Sequence, residues 1–199
     1  PSFMVSYAMS GIAMGIATWA TGAVAPTIND VAFRNLALKS FLGLPYIAWI
    51  SFAVLVVAFI IQEYTPLGRY MFAIGNNESI PKMTGINIAL VKVFAFAWSG
   101  ALIGLGGILY AARLGLGTIL IGNGNHFPAM TAVVLGGTAL TGGKGGVINT
   151  LIGVLIVTEL ETGLVLVGAP TELQTGIESL IIVAAVAMSI THNRKVINK

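Results

Sequence analysis

Long stretches almost free of charge dominate this chain, and they restrict it to a narrow set of folds. Phe3–Val24, Pro45–Gln62, Asn87–Ala112 and Val147–Val167 each come close to the ~20 apolar residues that carry an α-helix across a bilayer core. Two shorter runs, 127–140 and 177–190, accompany them. Charged residues make up 9% of the 199, against roughly 25% in an ordinary soluble domain, while apolar residues reach 56%. With a mean hydropathy of +0.92, the solvent such a chain is built for is lipid. Lipid offers no partners to backbone N–H and C=O groups, so the expected fold is all-α, a polytopic helical membrane protein.

The first run has no basic segment ahead of it and reads as a transmembrane helix rather than a signal peptide. Its opening at Pro1, already inside apolar sequence, predicts that further N-terminal spans belong to the full protein. At ~1.5 Å per residue the run 127–140 covers only about two thirds of a ~30 Å core, so it is a thin or broken span or a re-entrant half-helix. The positive-inside rule favours a crossing. With the polar loop 63–86 (Arg69, Lys82) in the cytoplasm, Lys92, Lys144 and the tail residues Arg194, Lys195 and Lys199 also fall inside, leaving Arg34, Lys39 and Arg113 outside. A re-entrant 127–140 would put the basic tail outside. About six transmembrane segments follow, the thin one lined by protein rather than lipid and the tail cytoplasmic, all within one transmembrane domain, 1–199. The net charge of +3 comes from scattered Lys and Arg, not from clusters interleaved with aromatics, so nucleic acid is not a partner. The absence of cysteine excludes thiol chemistry, disulfides and Cys-based metal sites.

Polar sequence is concentrated in a few places. Residues 26–43 carry Asn29, Asp30, Arg34 and Lys39, and predict an external loop with a short interfacial helix, either a rim for an extracytoplasmic partner or a connector lying on the headgroups. In 63–86, Pro66-Leu-Gly68 and Gly75-Asn-Asn77 read as turns. Ser79 reads as the cap of a short helix running to Gly85, with Pro81 as its second residue. A rigid helix at the membrane face is a lever that a soluble subunit can grip. The run 136–146 has six glycines in eleven residues, but Thr138 stands where a phosphate-binding loop needs its first glycine and Gly145 where it needs a hydroxyl. Turning and close helix approach are the roles left to it. Gly11-x3-Gly15 and Gly100-x3-Gly104 with Gly107 are small-residue faces of the kind that pack in lipid.

Leu67-Gly-Arg-Tyr70, Gly75-x-Asn-Glu78 and Gly85-Ile86, followed by Ala132-Val-Val-Leu-Gly-Gly-Thr138 and Gly142-Gly-Lys-Gly145, resemble the permease subunits of bacterial ABC importers of the ribose and simple-sugar type. The resemblance runs from about Pro45 to the end. It implies a membrane pore formed with a second permease subunit, homo- or heterodimeric, a cytoplasmic ATP-binding subunit and an extracytoplasmic solute-binding protein. It also implies a bacterial inner-membrane location, a monosaccharide such as ribose as solute, and ATP and Mg bound on the partner ATPase with no cofactor in this chain. The family's coupling segment carries Glu-Ala-Ala where this chain has Glu78-Ser79-Ile80. The residues expected to couple to the ATPase are Arg69, Asn77, Glu78, Ser79, Lys82 and Gly85.

An ion at a helix centre costs on the order of 2.5–3.5 kcal/mol, so Glu159 and Glu161 in the run 147–167 call for a role. At about 100° per residue Thr150, Thr158 and Glu161 share a stripe and Glu159 points away. Either Glu161 faces the pathway and Glu159 a neighbour, or the helix breaks near Gly163 and both approach an outer cavity. Gly136, Gly137, Gly142 and Gly143, with Thr150, Thr158 and Glu161, are the expected pathway or broken-helix element. His126 and His192 lack partners at metal-ligand spacing, and no nucleophile–base or paired-carboxylate arrangement supports catalysis. Trp19, Trp49 and Trp98 suit interfacial anchoring or helix packing. The rival readings are an ion-coupled secondary transporter with Glu159 or Glu161 as proton relay, an ABC permease for nucleosides, amino acids or a signalling molecule, and a non-transport scaffold.

Overall fold

Helices account for nearly all regular structure in the computed structural model, which describes residues 2–22, 24–119, 122, 125–139, 142–170, 173–177, 179–181 and 183. In chain order they are α1 (Ser2–Thr21), α2 (Val31–Leu38), a two-stranded hairpin of β1 (Ser40–Phe41) and β2 (Leu44–Pro45), α3 (Tyr46–Tyr64), α4 (Pro66–Asn76), α5 (Ser79–Met83), α6 (Ile88–Leu114), α7 (His126–Leu135) and α8 (Val147–Leu166). Among the described residues α3, α6 and α8 are long and apolar enough to cross a membrane; α1 has 20 residues, and α7 has 10. At ~1.5 Å per residue α7 reaches about half the thickness of a ~30 Å core, the short element expected within 127–140. Most of the run 177–190, His192 and the tail basic residues lie outside the described residues.

Few of the described residues are buried. The core residues are Ile74, Val91, Ala112, Thr131, Ala132, Val134 and Val157, while large apolar side chains all along α3, α6 and α8 stand exposed. A water-soluble domain of this size would bury most of them. Their exposure accords with helices suited by length and composition to cross a membrane.

The chain forms two compact units. One comprises residues 1–52 and 99–123. In it the expected interfacial helix is α2, capped by the Asp30 carboxylate, which accepts a 2.8 Å hydrogen bond from the Ala32 N–H. The hairpin that follows turns through Leu42 and Gly43, both at positive φ, and Trp49 donates its indole N–H to the Phe41 carbonyl at 3.1 Å. Residues 26–28 pair with 115–117 through the Ile28 N–H to Gly115 and the Gly117 N–H to Pro26. Gly11, Gly15, Gly100, Gly104 and Gly107 face open space, so the small-residue faces expected to pack find no partner within the described chain.

The second unit, residues 53–98 and 124–199, holds the polar loop 63–86 and the glycine run 136–146. There α7 and α8 form an antiparallel hairpin, with Gly136 against Asn149 and Thr150 and Gly153 against Ala132 and Gly136. Thr131, Ala132 and Val134 are nearly inaccessible. The short helix is therefore covered by protein along that face, in keeping with the expectation of a short element lined by protein rather than lipid.

Candidate coupling and translocation site

The loop 63–86 departs from its sequence reading. Pro66-Leu-Gly68 and Gly75-Asn-Asn77 are not turns; they are the two ends of α4, an 11-residue helix. Proline suits its first position, where no N–H partner is needed, and Leu67, Met71 and Ile74 recur at helical spacing on the covered face, with Arg69, Ala73 and Asn76 on the exposed one. The glycines serve close approach instead of turning. A Cβ on Gly68 would strike the backbone of Gln62, and one on Gly75 the backbone of Gly143. Between α3 and α4 the chain bends at Thr65, whose hydroxyl donates to the Ile61 carbonyl at 2.6 Å.

The second correction concerns Ser79. It does not cap α5 but is its first residue, and its N–H is taken by the Asn77 side-chain oxygen at 2.9 Å, so Asn77 closes α4 and opens α5. Pro81 is the third residue of α5 and is buried; its carbonyl accepts from the Ile86 N–H and the Thr84 hydroxyl. Gly85, at φ +79°, turns the chain toward α6. Glu78 forms a 2.6 Å ion pair with Lys92 of α6, tying α5 to the start of that helix. Arg69, Asn77, Glu78, Ser79, Lys82 and Gly85 are all exposed and stand on one continuous helix–turn–helix, so a docking partner could meet them together.

The glycine run lies against the same place. After α7 the chain turns through Gly136 and Gly137, and Gly142 and Gly143, at φ +88° and +76°, rest on Gly75 and Asn76. The Asn76 amide donates to the Gly143 carbonyl at 3.2 Å, and the Gln62 side-chain oxygen accepts from the Val147 N–H at 2.7 Å. Lys144 thus stands at the same end of the unit as the 63–86 loop, as the positive-inside rule requires. Of the pathway candidates, Thr150 is half-buried, with its hydroxyl 3.4 Å from that of Thr138. Glu161 is half-buried on the Thr150–Val157 side of α8, whereas Thr158 and Glu159 are exposed. Because α8 continues unbroken to Leu166, the alternative of a break near Gly163 falls away and the two carboxylates diverge. Gln62, Asn76, Gly68 and Gly153 make contacts between these elements that sequence reasoning did not assign to them. The one available signal was Gln62, an amide at the end of an otherwise apolar run.

Over residues 2–186 the chain matches the family described as branched-chain amino acid transport system, permease component. The chain belongs to this family. Within it, the chain is 37% identical over 190 residues to the probable ABC transporter permease protein YphD of Escherichia coli K12, covering 96% of this chain and 57% of that protein. It is 40% identical over 160 residues to the ribose import permease protein RbsC of the same strain, covering 80% and 50%. With the xylose transport system permease protein XylH of Haemophilus influenzae it shares 31% identity over 158 residues, 79% and 42% of the two chains. The chain spans about half the length of the curated relatives it matches. No solved structure matches it. Family membership accords with the exposed apolar helices, and a permease component is a conduit rather than an enzyme.

Proposed function

We propose that this chain is part of the transmembrane subunit of an ATP-driven ABC importer that provides the translocation pathway for a monosaccharide such as ribose. The observation that carries the reading is the α4–α5 helix–turn–helix, whose exposed polar residues are fastened to α6 by Glu78–Lys92 and to the α7–α8 hairpin by Asn76. It is built to receive a push at one end and hand it to membrane helices. A cytoplasmic ATP-binding subunit, carrying ATP and Mg, would dock there. A second permease subunit would complete the pathway, and an extracytoplasmic binding protein would deliver the solute. The location is the bacterial inner membrane with the C-terminal tail in the cytoplasm, and 63–86 is the coupling segment of a single permease domain. Relatives named for ribose and xylose support the choice of a pentose-like solute over the amino acids of the family's description.

The test reconstitutes the full-length protein in lipid with its candidate ATPase and binding protein, and compares uptake of labelled ribose and leucine by wild type and Glu78→Arg. ATP-dependent ribose uptake, with loss of ATPase recruitment in the variant, is the expected result. Leucine uptake alone would reassign the solute. Ion-driven uptake with no ATPase recruited would overturn the importer.

A further inference from the structure

The transmission route inside the proposed importer can be traced to two side chains that no sequence motif marks. Helix α8 begins at Val147 after Gly146, which has no side chain to cap the first-turn N–H groups. That acceptor comes instead from Gln62, near the end of α3 and 85 positions away in sequence, whose Oε1 accepts from the Val147 N–H at 2.7 Å. The same amide donates through Nε2 to the Glu63 carboxylate at 2.7 Å, which fixes which end of the amide faces α8. At the far end of α4, Asn76 donates to the Gly143 carbonyl at 3.2 Å. Gln62 and Asn76 therefore bracket α4 and hold the two ends of the segment Gly143–Val147.

A Cβ on Gly75 would meet the Gly143 backbone nitrogen, and one on Gly142 would fall 3.3 Å from the Gly75 Cα. At Gly75 backbone rests on backbone, so a displacement of α4 there is not absorbed by side-chain rotation, while a Cβ on Gly143 would also meet the Asn76 side chain at 2.5 Å. Beyond this clamp, Gly136 and Gly153 lock α7 to α8 in the same way, so the hairpin bearing Thr150 and Glu161 moves with its cytoplasmic end. The five-residue α5 packs beside α4, and the exposed Glu78–Lys92 pair joins its start to α6.

We infer that Gln62 on α3 and Asn76 on α4 are positioning residues that latch these two helices to the α7–α8 hairpin and carry ATPase-driven motion into the pathway. This rests on the importer reading above. Coupling through such a chain of contacts needs a demonstrated energetic link between its ends. The experiment uses the full-length permease with its ATPase and binding protein in proteoliposomes. It measures solute transported per ATP hydrolysed for wild type, Gln62→Leu and Asn76→Ala. The expected result is a fall in that ratio of about fivefold or more in both variants. A purely structural role would lower uptake and hydrolysis together, leave the ratio unchanged and overturn the inference. If Gln62→Leu does not assemble, the exposed Asn76→Ala decides alone by the same ratio. Absence of ATP-dependent uptake in the wild type overturns the importer itself and this role with it, whereas wild-type uptake with unchanged ratios overturns the role only.

Discussion

Gly153 offers the most direct check on the packing of α7 against α8. It lies buried in the middle of α8, and a Cβ there would meet the Ala132 carbonyl and come within 2.8 Å of the Gly136 nitrogen. Helix propensity alone favours alanine over glycine by about 1 kcal/mol. Overpacking typically costs ~1–3 kcal/mol, and both obstructing atoms are backbone that no rotamer change can move aside. A cost at the upper end leaves Gly153→Ala net destabilised by about 2 kcal/mol, roughly a 30-fold change in the folded ratio. Gly163, ten residues on in the same helix, meets nothing within 4 Å, so Gly163→Ala should be neutral or stabilised by up to about 1 kcal/mol. Reversible unfolding of both variants of the full-length protein in mixed micelles, titrated with SDS, measures the difference. Equal responses from the two would refute the close α7–α8 contact.

Two further outcomes follow from side-chain placement. Glu161 shares the half-buried side of α8 with Thr150 while Glu159 is exposed, so Glu161→Gln should lower solute uptake about tenfold, the scale of one lost charged contact. Glu159→Gln should stay within about twofold, as most surface changes do; equal losses in the same uptake assay would remove Glu161 from the route. Gly68→Ala should destabilise the permease by about 1–3 kcal/mol, because its Cβ would lie 2.7 Å from the Gln62 carbonyl carbon and Cα at the α3–α4 bend. A stabilised Gly68→Ala, measured by the same SDS unfolding, would mean that α4 stands away from α3.

Much of this architecture is legible in composition and spacing because lipid imposes so few choices. Largely apolar runs of about twenty residues must become helices, and those read at Pro45–Gln62, Asn87–Ala112 and Val147–Val167 are α3, α6 and α8 to within a few residues. The polar Asp30 before Val31 marks the start of α2 for an equally local reason, the orphan N–H groups of a first turn. Glycine is where local reading ends. Gly68, Gly75, Gly136 and Gly153 look alike on paper to residues that only turn a chain, and at 66–76 that reading replaced a helix by two turns. What they do depends on which backbone arrives opposite them, and those partners, Gln62, Gly143, Asn149 and Ala132, lie anywhere from 6 to 68 positions away. The same holds for the candidate site. Its polar residues could be gathered from the sequence as one exposed loop, since charge and turn propensity are properties of the residue itself. The hydrogen bonds that join the loop to the membrane hairpin, Gln62 to Val147 and Asn76 to Gly143, exist only because tertiary packing brings α3 and α4 against the start of α8. A carbonyl or amide in sequence carries no record of the partner that folding will bring to it.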